Sequence, residues 1–290
     1  TVNAGTLETS GNERIANASD LIVASGATFL LGGFESLSSI SGAGSINLQS
    51  NTLVTDSNVD TTFSGVISGT DSSVLTKTGT GKLTLSGANT YTGTTNFNGG
   101  SADLTGSLAS KTVNVASGFV FDSKVGGLSS AADVSNDGTI NLGSTDDTVK
   151  SYTSTGTLNG PGTLTALTYN LNGGSVVNAN LGTGSITTSG TVDLYGTSAA
   201  ATIVINAASV LNLKGPELIL NTASVTVNGT LNLDYTPAGT ETFQTLLGSG
   251  TIHTNGNSII VADGGNFTGI LDAAGSTLTT GGGAGGGGGG

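Results

Sequence analysis

The chain has 290 residues, 49 of them glycine, and carries a formal net charge of −12 with only seven lysine and arginine residues. So few cations cannot neutralise a row of phosphates, which argues against binding to nucleic acid and to anionic lipid. The chain contains no cysteine, which excludes disulfides and thiolate metal ligands. No run of about 18 apolar residues occurs, so we expect no membrane-spanning helix.

The sequence begins within a strand-like pattern, Thr1 to Ala4, with no charged and then apolar leader before it. We therefore expect the chain to be a processed or excised part of a longer protein. At the other end, residues 281–290 are almost entirely glycine. This composition is typical of a flexible linker.

A short unit recurs along the chain, consisting of a small residue, any residue, an aliphatic residue, a polar residue and a second aliphatic residue. The copies lie at 44–48, 81–85, 138–142, 190–194, 209–213 and 229–233, more weakly at 250–254, with 118–121 in an equivalent place. The steps between copies are often about 20 residues or about twice that, a period typical of a solenoid with one coil per repeat. Alternation of this kind predicts strands with one buried face. We find no convincing helix. The sequence thus predicts one all-β solenoid domain over positions 1–280, with coils of about 20 residues.

The aliphatic positions of the unit are predicted to stack into ladders inside the solenoid: Ile46, Leu48, Leu83, Leu85, Ile140, Leu142, Leu211, Leu213, Leu231 and Leu233. The polar position between them is often asparagine. Stacked amides hydrogen-bond to one another along the stacking direction, so we expect asparagine ladders as well.

A Gly-x-Gly pattern often precedes the unit, at 42–44, 79–81, 160–162, 182–184 and 248–250. We interpret these glycines as tight corners that need a positive φ. The alternative, a nucleotide-binding loop, requires a helix directly afterwards, and none is predicted.

The most regular stretch runs from residue 62 to residue 100. It reads F-x-G-x-I-x-G and then L-x-K-x-G-x-G-x-L-x-L-x-G-x-N-x-Y-x-G, carried by Phe63, Gly65, Ile67, Gly69, Leu75, Lys77, Gly79, Gly81, Leu83, Leu85, Gly87, Asn89, Tyr91 and Gly93. This motif resembles the passenger-associated repeat of bacterial autotransporter proteins. The resemblance implies a right-handed parallel β-helix, secreted or displayed at the bacterial surface. It covers the passenger part only, and it names no activity.

Candidate chemical groups are few. His253 is the only histidine, and we expect it to be a solvated strand residue rather than a metal ligand. Asp146 and Asp147, with Lys150 nearby, are expected in a surface loop rather than a catalytic cleft. The tyrosines at 91, 152, 169, 195 and 235 do not share one repeat position, so we expect them to fill corners rather than to stack on sugars.

These observations favour a non-enzymatic structural or adhesive protein outside the cell, without metal or cofactor. Its expected partners are other copies of itself, joined head to tail into filaments, or a host or matrix surface. The alternative is a passenger that binds glycans or an enzyme that acts on polysaccharide. The enzyme would place three or more carboxylates and a basic residue on one face of neighbouring coils.

Overall fold

A computed structural model describes residues 1–273 and 275–281. Within those ranges the regular elements are all β-strands and no helix occurs, which confirms the predicted all-β fold. Gly281 donates its N–H to the carbonyl of Val261 at 2.8 Å. The rest of the predicted glycine tail, residues 282–290, lies outside the described residues.

The described residues form two compact units, divided between residues 165 and 166. The prediction of one β-solenoid domain over residues 1–280 stays a prediction. Strand β22 (Thr163–Asn172) contains the boundary between them.

The strands of the first unit are three to five residues long in most cases. They are β1 (Thr6–Glu8), β2 (Asp20–Val23), β3 (Thr28–Leu30), β4 (Glu35–Leu37), β5 (Ser39–Gly42), β6 (Ser45–Asn47), β7 (Thr52–Asp56), β8 (Thr61–Phe63), β9 (Val66–Ser68), β10 (Val74–Thr78), β11 (Lys82–Leu85), β12 (Ala88–Asn89), β13 (Thr94–Phe97), β14 (Ser101–Leu104), β15 (Ser107–Leu108), β16 (Thr112–Val115), β17 (Val120–Ser123), β18 (Asp133–Asn136), β19 (Thr139–Leu142), β20 (Asp147–Ser154) and β21 (Thr157–Asn159).

The strands of the second unit follow the same style. They are β23 (Val176–Val177), β24 (Asn180–Leu181), β25 (Ser185–Ser189), β26 (Thr191–Leu194), β27 (Thr202–Ile205), β28 (Val210–Leu213), β29 (Ser224–Val227), β30 (Thr230–Leu233), β31 (Thr240–Phe243), β32 (Thr245–Leu247), β33 (Thr251–His253), β34 (Ser258–Val261), β35 (Ile270–Asp272) and β36 (Leu278–Thr280).

In the first unit the strands stack as parallel ladders. Sheet I has the order β2-β5-β8-β11-β14-β17-β19-β21, and sheet II has the order β4-β7-β10-β13-β16-β18-β20. Two smaller sheets, β1-β3-β6-β9 and β12-β15, complete the coils. Neighbours in a sheet lie one coil apart in sequence, as Lys82 and Ser101 do. This is a parallel β-solenoid.

The second unit repeats the arrangement. Sheet III has the order β23-β26-β28-β30-β33-β35, and sheet IV contains β22, β25, β27, β29 and β32. A third sheet is formed by β31, β34 and β36. Val210 pairs with Thr230 one coil further along. The spacing between coils along the chain is about 19 residues, which is close to the predicted period.

The predicted ladder residues all lie in the core. Each of them is 3 % exposed or less: Ile46, Leu48, Leu83, Leu85, Ile140, Leu142, Leu211, Leu213, Leu231 and Leu233. Ile46 differs in position, because β6 pairs with β3 and β9 rather than joining sheet I. In the first unit three aromatic rings also stack, with Phe97 5.1 Å from Phe119 and 4.8 Å from Phe121 between ring centroids.

The predicted amide ladders are confirmed on the outward side of the same strands. In sheet I, Asn159 donates to the Oδ1 of Asn141 at 3.0 Å, and Asn141 donates to the Oδ1 of Asp122 at 2.6 Å. In sheet III, Asn232 donates to Asn212 at 2.8 Å, and Asn212 donates to Asp193 at 2.6 Å. Each side-chain amide thus links its coil to the preceding one.

The two glycines of the Gly-x-Gly pattern are required for different physical reasons. The first glycine has the predicted positive φ in four of the five pairs, as at Gly79 (φ 75°). The second glycine is needed because the coils approach closely. A Cβ on Gly81 would lie 2.3 Å from the carbonyl oxygen of Val59 on the preceding coil.

Candidate functional site

Lys77 lies inside the solenoid. It is in β10, two residues after the buried Leu75, so strand alternation turns both side chains inward, and Lys77 is only 1 % exposed. Its Nζ donates to the carbonyls of Thr78 at 2.5 Å, Gly79 at 3.0 Å and Gly99 at 2.9 Å. An ammonium group has three N–H donors, and all three are used. Because Gly99 follows β13, the ammonium joins two neighbouring coils.

Burial lowers the pKa of Lys77, and the negative charges of Asp56 and Asp60 oppose that shift. The three carbonyl acceptors replace the water that the ammonium loses on burial. The side chain is therefore placed to hold backbone rather than to meet a ligand.

Asn89 links three coils. Its Oδ1 accepts the N–H of Ile67 at 3.1 Å, and its Nδ2 donates to the carbonyls of Gly87 and Ser107, both at 3.1 Å. Ile67 belongs to the preceding coil and Ser107 to the following coil. Asn89 is 1 % exposed, so its amide serves only the backbone of the fold.

Tyr91 is fully buried. Its hydroxyl lies 2.6 Å from the Oγ1 of Thr95, which lies 2.6 Å from the Oγ of Ser110. Burial raises the pKa of Tyr91 to about 12, opposed by the hydrogen bonds with Thr95 and Ser110. The phenol is thus a neutral member of an internal hydroxyl chain.

Three motif glycines lie where the backbones of successive coils nearly touch. A Cβ would lie 1.7 Å from the oxygen of Gly44 if placed on Gly65, 1.8 Å from the oxygen of Gly65 if placed on Gly87, and 1.9 Å from the oxygen of Ser73 if placed on Gly93. None of the three has a positive φ. Close approach alone requires glycine here. The apolar motif residues are all buried: Phe63, Ile67, Leu75, Leu83 and Leu85.

The family model described as passenger-associated-transport-repeat matches residues 75–101. The chain carries a passenger-associated transport repeat. This transport repeat and the surrounding parallel β-solenoid are together consistent with an autotransporter passenger β-helix. No curated protein and no solved structure matches the chain. In this structure the polar groups of Lys77, Asn89 and Tyr91 in the transport repeat all point into the fold.

A group of charged side chains lies on the outward face of sheet I, close to the transport repeat. Lys82 is 3.2 Å from Asp103, and Lys124 is 2.7 Å from Asp122. Asp103 and Asp122 are register partners on stacked strands. Burial opposes the ionisation of Asp122, but hydrogen bonds from Lys124 and Asn141 outweigh it and lower its pKa. We call Lys82, Asp103, Asp122 and Lys124 the sheet I charge cluster.

The expected surface loop at Asp146 and Asp147 is wrong for Asp147. Asp147 opens β20 and is fully buried, with its Oδ1 accepting the N–H of Leu128 at 3.0 Å. Burial raises its pKa, and the hydrogen bond from the N–H of Leu128 opposes that shift. Asp147 lies two residues before the inward-facing Val149 in the same strand. This alternation in the sequence could have predicted the burial of Asp147. Lys150 forms its ion pair with Asp133 and not with Asp146, because its Nζ lies 2.8 Å from the Oδ2 of Asp133.

His253 lies in β33, half-exposed, with its Nδ1 3.2 Å from the Oδ2 of Asp272. This position agrees with a solvated strand residue. In the described ranges no group of three or more His, Cys, Asp or Glu side chains could hold a metal ion. No helix in those residues is long and apolar enough to cross a membrane.

Glu241 is a second buried carboxyl that sequence reasoning missed. It is 0 % exposed and accepts the N–H groups of Leu218 at 3.1 Å and Ile219 at 2.8 Å. Burial raises its pKa to about 7, against the two backbone hydrogen bonds, which favour the ionised form. Its alternation with the inward Phe243 in β31 predicts its burial. The carboxyl group holds the 218–219 segment of the preceding coil.

Raising the pH from about 4.5 to about 7 should therefore destabilise the second unit. Over this range the folded chain keeps the proton of Glu241, whereas the unfolded chain loses it near the ordinary value of 4.5. The folded state binds more protons, so the free energy of unfolding falls as pH rises, by roughly 2–3 kcal/mol. Melting temperatures measured across this range should fall for the natural chain and change far less for Glu241→Gln.

The control variant is Asp263→Asn, which removes an exposed carboxylate from the same unit. It should keep the pH dependence of the natural chain. The pKa values of Asp71, Asp122 and Asp133 are lowered, so these groups change stability at lower pH and with the opposite sign. The pKa of Asp147 in the first unit is raised, so Asp147 acts with the same sign as Glu241 and leaves a residual slope in every variant. If the melting temperature of Glu241→Gln fell with pH as steeply as that of the natural chain, the pH dependence would not come from Glu241.

Proposed function

We propose that this chain is a non-enzymatic extracellular scaffold, displayed at a bacterial surface, whose coils form a rigid structural and adhesive body. The proposal rests on one observation: the polar side chains of the transport repeat form their hydrogen bonds within the fold and are not exposed to a ligand. Lys77 and Asn89 hold neighbouring coils together with their polar groups, and the hydroxyl of Tyr91 bonds to Thr95 inside the fold. None of the three is more than 1 % exposed. The family match supports a secreted or surface location.

The energetics of the fold support this role. Each coil is held by parallel backbone hydrogen bonds, a buried aliphatic ladder and, on several coils, an outward amide ladder. Stability of a stacked-repeat protein is a sum of repeat terms and nearest-neighbour terms. A chain built this way is mechanically continuous within each unit and exposes long, regular polar faces.

We further propose that copies of the chain associate through strand edges. Within the described residues, β1 pairs only with β3, and β36 pairs only with β34. Unpaired parallel edges are templates for addition of another strand. A contact between unlike edges gives an open assembly rather than a closed ring.

Sedimentation and electron microscopy of the purified chain at neutral pH test the scaffold. We expect linear assemblies whose mass rises with protein concentration, and dissociation when charge is placed on an edge, as in Leu278→Lys. The control is Leu167→Lys, which adds the same charge at a residue that is 72 % exposed and outside both edges. Particles of monomer mass at all concentrations would contradict self-association.

A polysaccharide-cleaving enzyme is the second candidate, and the sheet I charge cluster favours it. Asp60, whose Oδ1 accepts the N–H of Lys82 at 2.9 Å, adds a third carboxylate on a neighbouring coil. Glycoside hydrolysis, however, needs one carboxyl with a raised pKa to act as the acid. The pKa of Asp122 is lowered, and lysines already occupy Asp103 and Asp122.

Product release from neutral and uronate polysaccharides separates the two candidates. The scaffold proposal predicts no new reducing ends and no unsaturated products above a heat-denatured control. Turnover that disappears in Asp122→Asn would overturn the non-enzymatic assignment and place the reaction at the sheet I charge cluster.

A further inference from the structure

A cleft of about 330 Å³ opens in the second unit. It is lined by Tyr195, Lys214, Asp234, Tyr235, Thr236 and Asn255. These side chains supply an aromatic face, an ammonium, a carboxylate and an amide. Nothing in the transport repeat contributes to it, because that repeat ends at residue 101.

The cleft follows from the register of sheet III. Tyr195, Lys214 and Asp234 each come directly after a strand, namely β26, β28 and β30. Parallel stacking brings these three positions together at the same edge of the sheet. The backbone ladder continues through them, with N–H···O distances of 2.8 Å from Tyr195 to Val177, 2.9 Å from Lys214 to Leu194 and 2.8 Å from Asp234 to Leu213. Groups on such a ladder are held more precisely than groups on a free loop.

The charges of the cleft are nearly balanced, with a negative excess. The Nζ of Lys214 is 2.6 Å from Asp234 and 3.7 Å from Asp193. The hydrogen bond with Asp234 raises the pKa of Lys214, against burial. Two carboxylates therefore face one ammonium, in a chain whose formal net charge is −12. Phosphate, sulfate and uronate groups are disfavoured here, while hydroxyl groups find both donors and acceptors.

Tyr195 differs from the other tyrosines. Its side chain is 50 % exposed, whereas Tyr91, Tyr152 and Tyr169 are 0 % exposed and Tyr235 is 8 % exposed. An exposed phenol ring beside polar groups gives a flat apolar surface with hydrogen-bonding partners at its margin. Tyr235 adds a buried hydroxyl that has no hydrogen-bond partner within the described residues.

We propose that this cleft binds an uncharged sugar ring of an oligosaccharide. The apolar face of the ring packs on Tyr195, and its hydroxyl groups donate to Asp234 and bond with Lys214 and Asn255. A sugar fits because it presents a flat C–H face and a hydroxyl rim together, as the lining does. This inference names a ligand class for the proposed adhesive function, and it rests on that proposed function. The expected corner-filling role of the tyrosines does not describe Tyr195.

The test is saturation-transfer NMR and calorimetry on the full chain with three neutral probes: maltohexaose, cellohexaose and hexa-N-acetylchitohexaose. An oligogalacturonate of similar length is the anionic comparison. We expect at least one neutral probe to bind with a Kd of about 1 mM and the uronate to bind more weakly. Tyr195→Ala should weaken that binding roughly fivefold to tenfold, and Tyr195→Phe should keep it.

Leu167→Ala is the matched control, since Leu167 is an exposed apolar residue of the same unit outside the cleft. It should bind like the natural chain. The proposal is overturned if no neutral probe binds at about 10 mM, if the uronate binds as tightly, or if a folded Tyr195→Ala binds normally. Any of these results leaves the scaffold proposal standing, because sedimentation and product release are measured without these probes.

Discussion

Replacing Lys77 by methionine should destabilise the chain by about 3 kcal/mol, although the substitution keeps an unbranched apolar side chain of nearly the same length. The loss comes from the part-buried carbonyls of Thr78, Gly79 and Gly99, each of which loses the ammonium as a hydrogen-bond donor. A buried acceptor without a partner keeps the full cost of its desolvation. Urea unfolding followed by circular dichroism measures the change.

Lys82→Met is the control for charge alone. Lys82 lies at the start of the next strand, its side chain is 39 % exposed, and its partner is Asp103 at 3.2 Å. An exposed ion pair contributes less than about 1 kcal/mol, so this variant should unfold close to the natural chain. Equal unfolding midpoints for Lys77→Met and Lys82→Met would show that the buried ammonium does not hold the coils.

The second large effect is expected at Gly87. An alanine Cβ there would lie 1.8 Å from the carbonyl oxygen of Gly65 on the preceding coil. Backbone on both sides is fixed in parallel ladders, so the clash cannot be relieved by turning a side chain. We expect a loss of about 4 kcal/mol or failure to accumulate as folded protein.

Gly173→Ala tests whether glycine replacement as such is harmful. A Cβ on Gly173 meets its nearest neighbour, the Cα of Gly190, at 3.5 Å, which is ordinary contact, and its φ is not in the left-handed region. This variant should change the free energy of unfolding by less than about 1 kcal/mol. Similar losses in Gly87→Ala and Gly173→Ala would contradict the close-approach explanation.

Periodicity in the sequence was sufficient to predict an all-β solenoid, its aliphatic ladders and its amide ladders, while the parallel pairing was implied by the resemblance to the passenger-associated repeat. The reason is physical: strand alternation sorts inward from outward residues locally, as in the unit Leu231, Asn232 and Leu233. The same alternation places Lys77 and Glu241 inward. Lysine and glutamate are usually exposed in folded proteins. A prediction from residue type alone therefore misses the burial of these two side chains.

Other features depend on the register between coils, which the sequence does not display. The clash at Gly87 involves Gly65 on the preceding coil, and it arises only when the two coils are aligned. The cleft is different, because Tyr195, Lys214 and Asp234 each directly follow a copy of the recurring unit, at 190–194, 209–213 and 229–233. Aligning those copies would have placed the three residues side by side, as the hydrogen-bonded ladder does.

The transport repeat locks neighbouring coils together from inside the solenoid. Amide hydrogen exchange of the natural chain and Lys77→Met, resolved by peptide, tests it most directly, because repeat proteins lose stability locally. The account predicts faster exchange in peptides covering residues 74–101, with little change in peptides covering 191–233. Unchanged exchange in residues 74–101, or an equal increase in both regions, would contradict it.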